Sequence, residues 1–417
     1  MSLIINEKKL LGINGLGRIG KLTLWYHLIQ RKFDGIVVNI GREVGKSLDD
    51  LVQIILNDST YGRLDHFLYG HSGKKCQVEI PDYESQIVFI DGFPIKILNK
   101  ERSPQNINWR NEKVRIVVDC TGKFLDPTIS PAEGKDALCG HLTAGAQKVI
   151  SSAPFKIKNA STHDLDSFPT LIYGINHTSY DPLRHHIISA ASCTTTGLAH
   201  MIKPLLENKE TSNVLTASMS TVHAATNTQS VLDSVPAAGA TDLRKNRSVF
   251  NNIILSTTGA AKTLEMVIPQ VTNFGFMADS IRIPTNTVSL IALNITFSSS
   301  LDEKGMPSIN ANSIKEIYKT AANGNQKGLL VFSTKQNVSA DLLGFAAAIV
   351  IEGNDIHTRT GFLKIPQDAI SSLGIPDIHE INIPVTHAKI MGWYDNEFGS
   401  YVNCLGKLTE HIASRME

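Results

Sequence analysis

The chain has 417 residues, 42% of them hydrophobic, which is too long for one simple core and reads as two domains. Forty basic side chains oppose 39 acidic ones for a net charge of +1, so no basic field exists for a nucleic-acid or membrane-surface partner. Five scattered cysteines (Cys76, Cys120, Cys139, Cys193 and Cys404) without a CxxC pair fit a reducing compartment, and argue against a disulfide framework or a bound metal. The N-terminal apolar run breaks at Asn6, two lysines follow, and no segment approaches the ~20 apolar residues of a membrane helix; the chain reads as soluble and cytoplasmic.

The first part alternates short apolar runs with helical patterns. "LLGING" from Leu10 is a strand, Arg18–Arg31 a helix, "GIVVNI" from Gly35 a strand and Leu48–Leu56 a helix. Then come "VRIVVDCTG", a helix candidate over Pro131–Thr143, "KVIS", "LIYGIN" and "HIISA". This rhythm predicts a doubly wound parallel sheet with crossover helices. After Cys193 the runs lengthen. "VLTASMSTVHA" and "NTVSLIALNITF" alternate apolar with polar residues and predict a mostly antiparallel second domain, one face covered. A last helical pattern runs from about Tyr401 to Arg415, and the domain boundary is expected just before Cys193.

Inside the first strand–helix junction, Gly15, Gly17 and Gly20 spell G-x-G-x-x-G. In this position the pattern has a physical rationale: Gly15 allows a tight turn, Gly17 lets the backbone approach a diphosphate, and Gly20 lets helix and strand pack closely. The acidic residue that commonly grips the cofactor ribose is absent from the tip of the second strand, which reads Asn39, Ile40, Gly41, Arg42, Glu43. Glu43 can reach a ribose and Arg42 can hold a 2′-phosphate, so the cofactor is NAD or NADP.

Cys193 lies among hydroxyls in "SAASCTTTGLAH", immediately before a helix. The free N–H groups and dipole of that helix are expected to favour its thiolate. His223 follows near the end of a polar-rich strand, and a helix out with a strand back returns it to the same place, which makes a nucleophile and its base. Thr226, Thr228, Thr258 and Arg282 add groups suited to anionic oxygens.

"INGLGRIG", "SAASCTTTGLAH", "STVHAATNTQS", "STTGAAK", "IRIPTNTVS" and "WYDNEFG" occur in this order. Together, from about Leu10 to Leu405, they closely resemble phosphorylating glyceraldehyde-3-phosphate dehydrogenase. The resemblance implies a Rossmann-type dinucleotide-binding domain over 1–192, completed by a C-terminal helix within 395–417, and an α+β catalytic domain over 193–394. It implies Cys193 as nucleophile and His223 as base. Ser192, Thr194, Thr258 and Gly259 match the site for inorganic phosphate; Thr226, Thr228, Arg282 and, more weakly, Arg244 match the site for the substrate's own phosphate. Arg18, Ile19, Arg102, Thr121, Ser152 and Asn396 match cofactor contacts beside Gly15, Gly17, Gly20 and Arg42, and Tyr394 and Glu397 flank Asn396. The implied partners are glyceraldehyde 3-phosphate and phosphate, in a homotetramer.

The chain departs from the family pattern in several places. Ile40 stands where the family has aspartate, Ala190 and Gly197 where it has asparagine and a second cysteine, and extra stretches sit near 66–85 and 341–385. The loop from His223 to Arg247 looks a few residues long. The alternatives are a related sugar-phosphate aldehyde dehydrogenase, acting on erythrose 4-phosphate or using arsenate as acceptor, and an inactive cofactor-binding regulator.

Overall fold

The computed structural model describes residues 9–130, 136–158, 164–372 and 380–416. The chain divides into two compact units, Met1–Ser192 with Tyr401–Glu417, and Cys193–Ser400. The fold class is α/β, with a parallel-dominated sheet in the first unit and a mostly antiparallel sheet in the second.

The strands of the first unit are β1 (Leu10–Asn14), β2 (Gly35–Asn39), a small hairpin of β3 (Asn57–Asp58) and β4 (Gly62–Arg63), β5 (Val78–Asp82), β6 (Ile87–Ile90), β7 (Phe93–Leu98), β8 (Ile116–Asp119), β9 (Lys148–Ser151) and β10 (Ile187–Ser189). Among the described residues the main sheet has the order β10-β9-β8-β1-β2-β7-β6-β5. It is parallel from β10 to β7, and β6 and β5 close it antiparallel. Every residue of β1, β2, β8, β9 and β10 is buried, as expected of parallel strands covered on both faces. Their apolar runs are therefore continuous rather than alternating.

Helix α1 (Arg18–Gln30) and α2 (Leu48–Leu56) form where the periodicity places them. α2 buries Leu48, Leu51, Val52 and Ile55, one stripe at helical spacing, with Asp49 and Asp50 in its first turn. α3 (Leu64–Tyr69) and β5 are built from the extra stretch near 66–85.

Two segments differ from the sequence expectation. "LIYGIN" is no strand: Thr170 makes one parallel bridge to Ser189, and the Asn176 side chain then accepts the Ile172 N–H at 2.8 Å and donates to the Thr170 carbonyl at 2.9 Å, folding the run into a turn. Of the Pro131–Thr143 candidate, 131–135 lie outside the described residues, and the rest is helical only as α4 (Gly140–Thr143). Gly140 lowers helix propensity but admits the Gln105 backbone, since a Cβ there would stand 2.8 Å from the Gln105 nitrogen.

The second unit opens with α5 (Cys193–Glu207). Its strands are β11 (Val214–Ala224), β12 (Ile254–Thr257), β13 (Gly275–Ile283), β14 (Ser289–Ser298), β15 (Leu330–Ser333), β16 (Ile349–Glu352), β17 (His357–Pro366) and β18 (Glu380–Tyr394). Their order is β12-β13-β11-β14-β18-β16-β15, with β17 also on β18. β11 runs parallel to β13, and β15 to β16; the other pairs are antiparallel. Burial alternates strictly along β14, so one face is covered and the other is open. Helices α6 (Ala260–Val267) and α7 (Ala311–Asn323) accompany α5. The extra stretch near 341–385 contains β16, β17 and α8 (Gln367–Ser372); 373–379 lie outside the described residues. A final α9 (Asn403–Ser414) packs in the first unit against α1, so closely that a Cβ on Gly406 would meet the Tyr26 ring at 2.1 Å.

Candidate active site

In the first unit β1 stops at Asn14 and α1 starts at Arg18, and the turn between is Gly15–Leu16–Gly17. Gly15 has φ +92°, a left-handed conformation that favours glycine, and its N–H donates to the Asn39 carbonyl at 2.8 Å. A Cβ on Gly20 would lie 1.9 Å from the Gly15 carbonyl oxygen. A Cβ on Gly17 would meet no heavy atom within 4 Å. The turn thus leaves open space in front of Gly17, at the N-terminus of a 13-residue helix, which fits the diphosphate of a dinucleotide. Arg18 and Ile19 form the first turn of that helix. Arg18 and Lys21 both bind Asp58. Burial pushes the Asp58 carboxyl up, but hydrogen bonds from Lys21, Arg18 and the N–H groups of Tyr61 and Thr60 outweigh it and hold it far below the usual carboxylate range.

At the tip of β2 the Ile40 N–H donates to Leu98, and Gly41 turns the chain at φ +68°. Arg102 Nε donates to the Gly41 carbonyl at 3.0 Å, while Arg42 and Glu43 are both exposed. Beneath the tip runs a buried polar chain that the sequence reading missed. Asn39 Nδ2 donates to Asn14 Oδ1 at 2.8 Å, and Asn14 Nδ2 donates to Asp119 Oδ2 at 2.8 Å. Trp109 Nε1 donates to His141 Nδ1 at 2.9 Å, so neutral His141 carries its proton on Nε2 and donates it to Asp119 Oδ2 at 3.1 Å. Asp119 Oδ1 accepts from both the N–H and the hydroxyl of Thr121, at 3.0 and 2.6 Å, and the Ser152 N–H donates to the Asp119 carbonyl at 2.9 Å. Thr121 and Ser152 are thereby set just past the carboxyl ends of β8 and β9, where ligands of open α/β sheets bind. The available signal was the carboxylate closing the all-buried run "IVVD".

In the second unit Cys193 is the first residue of α5 and is partly accessible. Its Sγ lies 3.5 Å from His223 Nε2. His223, 3% exposed, is on β11 directly beside Arg282 on the parallel strand β13. Arg282 Nη1 is 2.6 Å from His223 Nδ1. Burial pushes the Cys193 thiol up, and the Arg282 charge and the Thr194 hydrogen bonds pull it back only in part. Burial of the anion thus opposes the favour expected from the helix N-terminus. Burial and Arg282 lower His223 to about 4.

The anion-binding candidates are placed as follows. Thr194 Oγ1 is 3.0 Å from the Tyr394 hydroxyl, which also lies 2.7 Å from Thr221 Oγ1, so the Thr194 side chain is engaged inside the unit. Burial and the neighbouring thiol push Tyr394 up, keeping it a neutral phenol. Neither Tyr394 in this bridge nor Thr221 stood out from residue types alone. Thr226 and Thr228 are exposed, their hydroxyls 2.9 Å apart. Thr258 Oγ1 accepts the Ala260 N–H at 3.2 Å where α6 begins, and a Cβ on Gly259 would meet nothing within 4 Å. Arg244 is exposed and tied to Asp242 at 2.8 Å instead of joining the Cys193–His223–Arg282 group. Ser192 closes the first unit and is partly buried. Asn396 is buried, with Oδ1 accepting from Ser289 at 2.9 Å and Thr287 at 3.4 Å. Among the described residues no cluster of three or more His, Cys, Asp or Glu can hold a metal ion, and no helix is long and apolar enough to cross a membrane.

Two family models match the chain: the glyceraldehyde 3-phosphate dehydrogenase NAD binding domain over 9–127, and the glyceraldehyde 3-phosphate dehydrogenase C-terminal domain over 192–367. Glyceraldehyde-3-phosphate dehydrogenase 2 of Bacillus subtilis is 30% identical over 405 residues, covering 97% of each chain. The enzyme of Geobacillus stearothermophilus is 32% identical over 404 residues, covering 97% of this chain and 98% of its own. Glyceraldehyde-3-phosphate dehydrogenase 2 of Caenorhabditis elegans is 33% identical over 410 residues, covering 98% and 99%. With these matches, a Gly-rich NAD-binding turn in one unit and a Cys–His–Arg group in the other, the chain belongs to the glyceraldehyde-3-phosphate dehydrogenase family.

Proposed function

We propose that this protein oxidises glyceraldehyde 3-phosphate to 1,3-bisphosphoglycerate, with inorganic phosphate as acceptor, through a thioester on Cys193. The observation that carries this reading is the 3.5 Å approach of Cys193 Sγ to His223 Nε2 with Arg282 alongside. A thiol and an imidazole at this distance can exchange a proton, and the resulting thiolate is the nucleophile. Sγ adds to the aldehyde carbon to give a hemithioacetal. His223 takes the hydroxyl proton as C1 loses hydride, leaving a thioester. NAD or NADP would supply the hydride acceptor, and Gly15, Gly17, Arg18, Ile19, Gly20, Arg102, Thr121, Ser152 and Asn396 are the residues assigned to hold it. Phosphate then attacks the acyl carbon, the C–S bond breaks, and the departing sulfur takes back a proton. A thioester keeps the acyl group activated where an ordinary ester would not.

Two anions must be held, one on each side of the reacting carbon. Ser192, Thr194, Thr258 and Gly259 are assigned to inorganic phosphate. The space in front of Gly259 at the start of α6 supports this. Thr226, Thr228 and Arg282 are assigned to the substrate phosphate, supported by the paired exposed hydroxyls. Arg244, held by Asp242, takes part only if that pair opens.

For the cofactor we propose use of NAD with weak discrimination against NADP. Ile40 offers no carboxylate to a ribose, whereas Arg42 is exposed beside the Gly41 turn. We further propose a cytoplasmic homotetramer. Val235, Ile253 and Val231 are 93%, 75% and 61% exposed, apolar side chains that a subunit contact would cover.

The test is an assay of purified protein with glyceraldehyde 3-phosphate, run with NAD and with NADP, with and without phosphate. Phosphate-dependent reduction of NAD is expected. Equal rates without phosphate remove the phosphorylating step, a preference for erythrose 4-phosphate redirects the substrate, and cofactor binding without turnover leaves a regulator.

A further inference from the structure

The seam between α9 and the rest of the first unit buries polar atoms that find no hydrogen-bond partner among the described residues. They are both ring nitrogens of His27 on α1, and Asn403 Nδ2, Glu410 Oε1 and His411 Nε2 on α9. Each gives up the hydrogen bonds that water offers it, so each opposes docking of the helix. The seam is otherwise packed as an apolar contact: Cys404, Leu405, Leu408 and Ile412 are buried, and the Tyr26 ring fills the space that Gly406 leaves. α9 is separated in sequence from the rest of its unit by the whole of Cys193–Ser400, so it docks as a piece of its own.

His27 lies between the rings of Tyr26 and Phe33, with centroids 5.0 and 5.2 Å away. The carboxylate that faces it is Glu410, whose Oε1 is 4.0 Å from Nδ1, too far for a hydrogen bond. Glu410 accepts the Tyr26 hydroxyl and lies in the field of Lys32 and Lys407, while Cys404 and Tyr173 also face Tyr26. The His411 ring bonds the His177 backbone and meets the rings of Tyr173, His177 and Tyr180, with Arg415 as the neighbouring charge. Among the described residues no carboxylate pairs with it. Burial lowers His27 to about 3, and burial with the Arg415 charge lowers His411 from the ordinary 6.5. Protonating either ring in place means burying a cation with no anion in contact. Water reaches both rings once α9 lifts.

We propose that α9 is an acid-released strap: as pH falls it lifts from α1 as a unit while the parallel sheet stays folded, and the protons that release it go to His27 and His411. Docked α9 keeps both imidazoles neutral, and released α9 lets both take a proton from solvent near the ordinary 6.5. The released form binds more protons, so the release constant rises as pH drops below about 6.5. Glu410 has the opposite sign. Burial raises its carboxyl above the ordinary 4.5 in the docked form, so its protonation favours docking. That opposition grows toward the carboxylate range, and the histidines dominate from about pH 6 to 5. Release takes away the packing behind α1, the helix that starts at the Gly15–Leu16–Gly17 turn. The strap uses none of the residues assigned to the chemistry, and it stands or falls apart from the proposed function.

The experiment is hydrogen exchange of the full chain at pH 6 and pH 5, read by mass spectrometry and corrected for the intrinsic pH dependence of amide exchange. Peptides of α9 over 403–414 are compared with β8 over 116–119. Each histidine contributes up to about an eightfold rise in release between the two pH values, so α9 protection should fall by more than eightfold, up to about sixtyfold. β8 should keep its protection. His411→Phe keeps the ring packing without the proton and should hold the fall to about eightfold or less. Adding His27→Leu should leave α9 protection independent of pH over this interval. Should the leucine variant not fold, His411→Phe alone still carries the test. Glu410→Gln removes the opposing carboxyl and should leave the fall at least as steep as in the wild type. Four results overturn the strap: unchanged α9 protection in the wild type, α9 and β8 losing protection together, the wild-type slope persisting in His411→Phe or in the double variant, and a shallower slope in Glu410→Gln.

Discussion

Cys193 illustrates how residue type and residue environment divide the chemistry. A thiol beside an imidazole at 3.5 Å is a nucleophile–base pair by composition, and burial pushes the thiol up and the imidazole down, so each partner depends on the other to carry charge. His223→Asn removes the acceptor while retaining a polar group of similar size. We expect kcat to fall by ~10²–10⁴-fold, the usual contribution of a positioned base, with cofactor affinity nearly unchanged. A variant with near wild-type kcat in a steady-state assay takes His223 out of the mechanism.

At the scale of elements, the β1–α1 junction and the β2 tip carry separate predictions. The junction admits only glycine at 20, because a Cβ there would overlap the Gly15 carbonyl. Gly20→Ala should push α1 off β1, cost on the order of 1–3 kcal/mol as overpacking commonly does, and weaken NAD binding with it. Thermal unfolding and a cofactor titration on the same preparation read both; a variant with wild-type Tm and affinity contradicts the packing argument. The β2 tip turns on charge. Ile40→Asp should shift the kcat/KM ratio toward NAD, because a carboxylate bonds the 2′-hydroxyl and repels a 2′-phosphate. Arg42→Ala should lower kcat/KM for NADP selectively. Complete rejection of NADP by the wild type, relieved by Glu43→Gln, assigns the ribose to Glu43 and sinks the Arg42 reading.

For the whole molecule, the buried histidines set the response to acid. His27 on α1 is fully buried, neither ring nitrogen finds a hydrogen-bond partner among the described residues, and burial lowers it to about 3. His223 is lowered to about 4. A depressed imidazole is neutral in the folded chain and protonated in the unfolded one between its folded pKa and the ordinary 6.5. The unfolded state then binds more protons, so stability falls as pH drops from about 6.5 toward 4. His27→Leu removes one of these groups and should flatten the fall in unfolding free energy over that window, by an amount on the order of 1–3 kcal/mol. Identical slopes for variant and wild type by calorimetry count against the buried imidazole as the cause.

Much of the fold was legible because periodicity is local. The continuous apolar runs of β1, β2 and β8, the stripe of α2 and the G-x-G-x-x-G turn each follow from neighbouring residues. The motif order pointed to the family before any geometry. "LIYGIN" was misread because its turn depends on an Asn176 side chain that bonds back to the backbone, which hydrophobicity does not register. The pairing of Cys193, His223 and Arg282 is a matter of strand register: β11 and β13 run parallel and bring residues 223 and 282 side by side. Spacing alone could place the cysteine and histidine only in the same region. The direction of the Cys193 shift, the bridge from Thr194 through Tyr394 to Thr221, and the Asn39–Asn14–Asp119–His141–Trp109 chain were decided by tertiary structure alone. Their physical cause is desolvation, which acts on a side chain only once distant segments have closed around it.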